Sequence, residues 1–403
     1  MIRLSRWLAL AIAIGAAVPA PLGAASGSAV PKRIAFLVDS WYPRSHADVI
    51  GTRFLTGYRV GDKVHASPLT VASVHTDLPR NADQTRALAA RYGFRVAGSI
   101  AEALLDNPQS VQPQLAVDGV LVATREDVPG SGPPQSPNSR LQVVREVLRV
   151  SDRAGARLPM FVDKMIAASW ADSQTIIAET SRRGTPLMAG SVLPFTPLDH
   201  PLRPERVQVG VVIASTPYWA YAFHAAELLQ AFMELRGPRE TGVSAIRDAG
   251  PAYSSMPNRD QWGGRVFDTL LASAKTRGSR RTASVNYGPE TTVLLLQYVD
   301  GTRAVLALIP DVFDDSEFLL GAQYADGTIG TSGLVLRGEP FDHFGYLVHA
   351  LVTLYTTGRS PVPAERTALT TGIVLFGQQA KQSGAQVTTP ALAISYSVRQ
   401  ARP

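Results

Sequence analysis

The sequence predicts an α/β protein in two parts: an N-terminal Rossmann-like domain on a parallel sheet, followed by an α+β domain with a largely antiparallel sheet. Three observations carry that prediction. Through the first half, short and continuously apolar runs alternate with stretches of helical period. A connector containing Pro197, Pro201 and Pro204 then interrupts the pattern. Beyond it, apolar runs follow one another across tight turns before two long helical stretches close the chain. At 403 residues the chain exceeds one ordinary core, so domains over 30–197 and 198–403 are expected after a leader at 1–28.

In order, the run Ile34-Ala35-Phe36-Leu37-Val38 has no polar interruption, as a strand covered on both faces requires. A helix is expected over 48–58 and a strand over 69–75. The helix over 83–92 ends at Gly93, a residue that accepts a left-handed C-cap. Ser99 and Glu102 form the capping-box pair of a short helix over 100–105. Buried strands are expected over 117–124, 158–162 and 186–191, with helices over 141–154 and 170–182. The stretch 129–137, rich in Pro, Gly and Ser, is a loop. Strand–helix repeats of this length imply right-handed crossovers. In the second half, a strand over 207–214 precedes a helix over 219–235. Runs over 291–298 and 303–309 flank Asp300-Gly301 and form a hairpin. Strands over 318–324 and 334–337 extend that sheet, and helices over 341–357 and 364–381 cover one face. The face left exposed predicts a homo-oligomer through the C-terminal sheet.

Composition narrows the class. Apolar residues make up 45% and charged residues 18%, which suits a packed globular protein and excludes a disordered one. The net charge is +6, or +4 without Arg3 and Arg6, and it is spread along the chain, so no nucleic-acid partner is expected. The basic stretch from Lys275 to Arg281 reads as a solvated loop. Arg3 and Arg6 precede an apolar run from Trp7 to Val18 and small residues at Gly23-Ala24-Ala25, the pattern of a secretory signal peptide. The run is too short to span a bilayer, which predicts a periplasmic or secreted protein without a membrane span after cleavage. No adjacent arginine pair precedes it. The chain has no cysteine, which excludes disulfides, thiolate chemistry and a lipid anchor at a cysteine.

Chemistry-bearing residues are sparse. Asp163-Lys164 follows a buried strand, and the carboxyl ends of parallel strands are where open α/β sheets bind ligands. The plainer alternative is an exposed ion pair worth little. His224 has the pKa range of a general acid or base, or it packs at a domain interface. Asp77, after the second strand, stands where a ribose hydroxyl would be bound, with His75 as the alternative in a shifted register. Asp311, Asp314, Asp315 and Glu317 form an acidic group without a binding-loop glycine or histidine companions, so a solvated loop is expected and no metal site. His343 and His349 read as helix surface or interface residues. No nucleophile elbow, phosphate-binding loop or zinc-type histidine pair occurs.

Four segments fall in a telling order: the run from Val117 to Thr124; Phe161-Val162-Asp163-Lys164; Tyr221-Ala222-Phe223-His224-Ala225-Ala226-Glu227; and Thr357-Gly358-Arg359-Ser360-Pro361-Val362-Pro363. That order resembles the Gfo/Idh/MocA oxidoreductases, the glucose-fructose oxidoreductase and inositol dehydrogenase group, over residues 33–387. The resemblance implies a first domain holding NAD or NADP and a second forming the substrate pocket and the oligomer face. It implies hydride transfer at a carbon of a sugar- or cyclitol-like substrate. Lys164 and His224 would be catalytic, and Ser45, His46, Asp77, Ala123, Thr124 and Asp163 would contact the cofactor. Three departures stand out. The dinucleotide loop, Asp39 to Asp48, contains no glycine, and Trp41 and Tyr42 bring bulk where backbone should approach a diphosphate. Arg44, Ser45 and His46 would compensate as donors. Met165 replaces the proline expected after the lysine. Ala220 stands where a carboxylate would orient His224, leaving Glu227, three residues on, as its substitute. The departures support an alternative: a catalytically inactive secreted relative binding a carbohydrate-like ligand in the same cleft. A third, plainer alternative is a structural oligomer.

Overall fold

The structure, a computed structural model, describes residues 31–124, 139–277, 285 and 287–398. The expected leader at 1–28, the loop 129–137, and Arg280 and Arg281 of the basic stretch lie outside the described residues.

Strand β1 (Lys32–Val38) leads into α1 (His46–Thr56), the small hairpin β2 (Tyr58–Val60) and β3 (Lys63–His65), and β4 (Leu69–Thr76). Then come α2 (Thr85–Tyr92), β5 (Arg95–Ala97), α3 (Ile100–Leu104), β6 (Gly119–Ala123), α4 (Arg140–Arg153), β7 (Met160–Asp163), α5 (Trp170–Arg182) and β8 (Leu187–Gly190). The spatial order is β5-β4-β1-β6-β7-β8, all parallel. The continuous apolar runs are explained by burial on both faces. Ile34, Phe36, Val38, Leu121 and Phe161 join one core, and Ala35, Leu37, Val120, Val122 and Val162 join the other. Because the chain builds outward from β1 in one direction and from β6 in the other, the sheet has its topological switch between these two strands.

The second sheet uses β9 (Val207–Ser215), which runs into α6 (Tyr218–Met233), and then, beyond the short β10 (Arg239–Glu240), β11 (Val243–Asp248). Next are α7 (Gly264–Ser273), β12 (Thr292–Tyr298), β13 (Arg303–Ile309), β14 (Glu317–Tyr324) and β15 (Ile329–Val335). The chain closes with α8 (Phe344–Thr357), α9 (Ala364–Ser383), β16 (Val387–Thr388) and β17 (Tyr396–Ser397). The order is β15-β14-β9-β13-β12-β11-β16, antiparallel except for the β9–β13 pair. β10 and β17 pair separately.

The expected exposed sheet face does not exist among the described residues. One face, through Val212, Leu294, Leu306 and Leu320, packs under α6 and α9. The other, through Val211, Ile213, Leu295 and Val305, is covered by Val266, Phe267 and Leu270 of α7 and by Tyr253. The sheet face therefore does not offer the apolar surface on which an oligomer was expected. A second difference concerns α8 and α9, which close the first sheet rather than the second alone. Tyr355 donates to the Val120 carbonyl at 2.8 Å, and Thr367 to the Ala189 carbonyl at 2.8 Å. The described residues from Lys32 onward accordingly form one compact unit.

Helix α1 starts at His46, because the Ser45 side chain accepts from the Asp48 amide, and it ends at Gly57, where φ is +89°. Tyr58, expected in that helix, belongs to the hairpin. Asp83, expected in the second helix, instead accepts from Ser40 Oγ at 2.7 Å and from the Trp41 amide at 2.8 Å.

Candidate active site

The carboxyl ends of β1, β6 and β7 open onto a cavity of about 490 Å3. Six sequence-predicted residues line it: Ser45, His46, Ala123, Thr124, Asp163 and Lys164. Asp39, Tyr42, Arg44, Arg80, Arg140 and Trp219 complete its charged and aromatic wall.

Each wall has a local cause. After β1 the chain turns through Arg44, held at φ +68°, whose amide donates to Asp48 Oδ2 at 2.9 Å. The Arg44 side chain reaches Glu339 Oε1 at 2.9 Å, an exposed pair. Tyr42 lies under the Arg80 guanidinium, 5.2 Å from the ring centre. Trp41 does not crowd this cavity. Its indole is fully buried, stacked between Phe36 at 5.6 Å and Phe94 at 6.0 Å. Of the bulk expected to obstruct a diphosphate, Trp41 is core packing beneath the loop, whereas Tyr42 lines the cavity.

After β7, Lys164 adopts φ +68°, a conformation sparsely populated by side-chain-bearing residues, and its amide bonds the Gly190 carbonyl at 2.9 Å. That turn directs consecutive residues differently. The Asp163 carboxylate is buried with 7% of its side chain exposed, whereas Lys164 keeps 42%. His46 Nδ1 lies 2.8 Å from Asp163 Oδ2, and Lys164 Nζ lies 3.9 Å from the same oxygen. Burial alone would raise the Asp163 carboxyl. The charges of His46 and Lys164 outweigh it and hold the group well below the carboxylate range. Buried Arg140 ties the two strand ends together by donating to the Thr124 carbonyl at 2.5 Å and to the Met165 carbonyl. Thr124 Oγ1 is buried without a hydrogen-bond partner among the described residues.

The other expected residues stand elsewhere. His224 is not among the residues lining the cavity; its Nδ1 lies 2.6 Å from Ser191 Oγ. Burial, then the positive Lys164 and His46, push its imidazole down to about 3. Glu227 does not orient it: that carboxylate is buried, accepting from the Ser191 amide at 3.2 Å and from Thr370 Oγ1. Asp77 and His75 bond each other, Nε2 to Oδ1 at 2.9 Å, and line a separate cavity of about 420 Å3 with Gly98, Ser99 and Gln142. Asp77 is thus apart from the main cavity, at the ends of β4 and β5 on the same carboxyl edge. Glu317 of the acidic group is structural, receiving the Lys275 and Thr276 amides at 2.8 Å each. No metal-holding cluster occurs among the described residues. Sequence reasoning missed Arg80, Arg140 and Ser191. A larger open hollow of about 710 Å3, walled by Asp260, Arg265 and Arg303, lies at the far end of the second sheet and gathers none of the expected residues.

No protein-family model matches the chain, and no curated protein does. Solved structures match its shape. A probable dehydrogenase from Thermotoga maritima shares 12% identity over 89% of this chain and 99% of its own, with a TM-score of 0.56. Scyllo-inositol dehydrogenase from Lactobacillus casei, with bound NAD(H) and scyllo-inositol, shares 11% over 89% and 98%, with a TM-score of 0.55. An oxidoreductase from Agrobacterium radiobacter, in complex with NAD+, L-tartaric acid and magnesium, shares 10% over 90% and 99%, with a TM-score of 0.53. At such identities the likeness establishes the fold.

Proposed function

We propose that this chain is an NAD(P)-dependent oxidoreductase of the Gfo/Idh/MocA type, moving hydride at a carbon of a sugar- or cyclitol-like substrate. The observation that carries the reading is the cavity at the switch point, which gathers Lys164, Asp163, His46 and Thr124 on a fold shared with dinucleotide-bound dehydrogenases. The donor set fits such a cofactor. Thr124 Oγ1, buried and unpartnered among the described residues, is a hydroxyl awaiting a ligand atom. Arg44 and Arg80 supply as side-chain charge what a glycine-rich loop supplies as backbone amides. Ser45 and His46 stand at the α1 N-terminus, which favours anions. When bound, the dinucleotide supplies the hydride acceptor. Lys164 would then donate to the substrate oxygen and polarise it, while Asp163 fixes the lysine and His46 by their shared carboxylate.

One observation favours the silent, ligand-binding alternative: the Asp48 carboxylate already receives the Arg44 amide at the start of α1, in competition with a diphosphate. NADH fluorescence titration of the purified protein decides between them. Micromolar binding, lost on Arg80→Ala, is the expected result. The absence of binding up to millimolar NADH and NADPH gives the cleft to a carbohydrate-like ligand alone. The apolar run after Arg6 supports a periplasmic or secreted location, where the cofactor would have to be retained tightly.

A further inference from the structure

We propose that Glu227, buried where α6 meets α9, is a positioning residue for Lys164; this rests on the oxidoreductase reading. Lys164 owes its place in the cavity to its backbone, since the Gly190 carbonyl holds its amide at 2.9 Å. Glu227 shapes that strand end in turn. Gly190 has φ +134°, and a Cβ there would lie 2.5 Å from Glu227 Oε2. Glycine is what lets the carboxyl group press against the turn. The same Oε2 accepts from the Ser191 amide at 3.2 Å, so Glu227 grips the peptide whose carbonyl Lys164 uses. Ser191 Oγ then meets Nδ1 of His224, three residues before Glu227 on α6, at 2.6 Å.

Helix α9 completes the clamp with Thr367, Thr370 and Thr371, all fully buried. Thr370 bonds Glu227 Oε1, Thr367 donates to the Ala189 carbonyl at 2.8 Å, and Thr371 accepts from the Ile166 amide at 3.2 Å. Segments 164–166 and 189–191 are thus pinned from α6 and α9, on both sides of the Lys164–Gly190 bond. Buried hydroxyls and a buried carboxyl carry a desolvation cost that apolar residues at these positions would avoid. What they supply is a fixed geometry, and a misplacement of about 1 Å costs a reaction on the order of 100-fold. Glu227 does not line the cavity, so it acts through Gly190 and Ser191. The bonds themselves are the device. Glu227→Gln keeps an oxygen for the Ser191 amide and offers its NH2 to Thr370 Oγ1, which can accept while donating to the Thr367 carbonyl 3.2 Å away. Glu227→Leu fills a similar volume and makes neither bond.

Two readouts test this. The lysines are Lys32, Lys63, Lys164, Lys275 and Lys381, so protein labelled with nitrogen-15 lysine gives one backbone amide signal for each. The Lys164 signal is assigned by its loss in Lys164→Ala. It should hold its position in Glu227→Gln. In Glu227→Leu it should move and exchange with solvent about tenfold faster or more, while Lys32, Lys63 and Lys275 stay. Thr370→Val, which takes the hydroxyl partner from Glu227, should displace it in the same direction and serves if Glu227→Leu does not fold. An unmoved Lys164 amide in the folded variant overturns the proposal whatever the activity. In turnover assays with NAD+ or NADP+ and a panel of cyclitols and hexoses, Glu227→Leu should lose about 10-fold or more, with the loss in kcat rather than KM, and Glu227→Gln should stay within about threefold of the parent. An equal loss in Glu227→Gln, which keeps the bonds, overturns the positioning role. A parent that binds no dinucleotide and turns nothing over removes the oxidoreductase reading, and the amide signals still decide whether Glu227 places Lys164.

Discussion

Lys164 combines two constraints that a substitution separates. Its charge serves the cavity, and its φ of +68° serves the turn between β7 and the Gly190 carbonyl. Lys164→Ala keeps the Cβ and hence the backbone strain, so its melting temperature should stay near the parent's while turnover is lost. Lys164→Gly removes the Cβ clash of the left-handed conformation, a relief of roughly 1–2 kcal/mol, so it should melt above Lys164→Ala. Thermal denaturation of both reads this directly, and equal stabilities would refute the strain. Trp41 supplies the opposite case. The sequence places it in a loop where glycine is expected, and from that position Trp41→Gly ought to favour a nucleotide. Its burial between Phe36 and Phe94 instead predicts a loss of about 3–5 kcal/mol on urea unfolding. Asp163 and Lys164 were legible because an apolar run ending in two opposite charges is a strand end. The partnership of Asp163 with His46 was not, because only the sheet's parallel order brings the ends of β1 and β7 to one edge.

Elements with long apolar runs or helical period were legible: β1, β6, β9, β12, β13, α4, α5, α8 and α9 all lie where the pattern puts them, within a few residues. The misses have physical causes. β5 is three residues long and half exposed, too short for a period to show. α7 follows a stretch of 3-10 turns from Gly250 to Trp262 with Pro251 and Pro257, whose composition reads as loop. Missing it created the expectation of a bare sheet face. Docking of α8 is also invisible locally, because it depends on Gly119, where an added Cβ would lie 2.4 Å from Tyr355 Cδ1. Gly119→Ala should therefore cost about 1–3 kcal/mol by overpacking. Adding Tyr355→Leu should recover part of that loss. A double-mutant cycle in urea tests the coupling, and strict additivity would contradict the clash.

Across the whole molecule, a buried polar stripe joins the second sheet's helices to the first sheet. Glu227 and Gln230 of α6 and its C-cap residue Glu234 follow a helical period written in polar residues that hydrophobicity alone assigns to solvent. Arg366 of α9 answers it, with its guanidinium 2.9 Å from Glu234 Oε1. Tyr396 donates to Glu234 at 2.7 Å, and Gln230 donates to Glu240, which Arg236 also pairs at 2.7 Å. Burial raises the Glu227 and Glu234 carboxyls above the usual 4.5, and the Arg366 charge opposes that rise in both. The sign follows from linkage. A carboxyl raised in the folded state contributes stability that is fully present below about pH 4.5 and is lost as pH climbs through the folded value. Arg366→Met removes the opposing charge, so both carboxyls rise further and the loss spreads over a wider span. At neutral pH the variant leaves buried carboxylates uncompensated, at a cost of about 3–5 kcal/mol. Urea unfolding at about pH 4.5 and about pH 7 should show a small gap to the parent at the acid value and a much larger one at neutrality. A gap independent of pH would mean that Arg366 contributes packing and hydrogen bonds rather than charge, and that the stripe is held together without its cation.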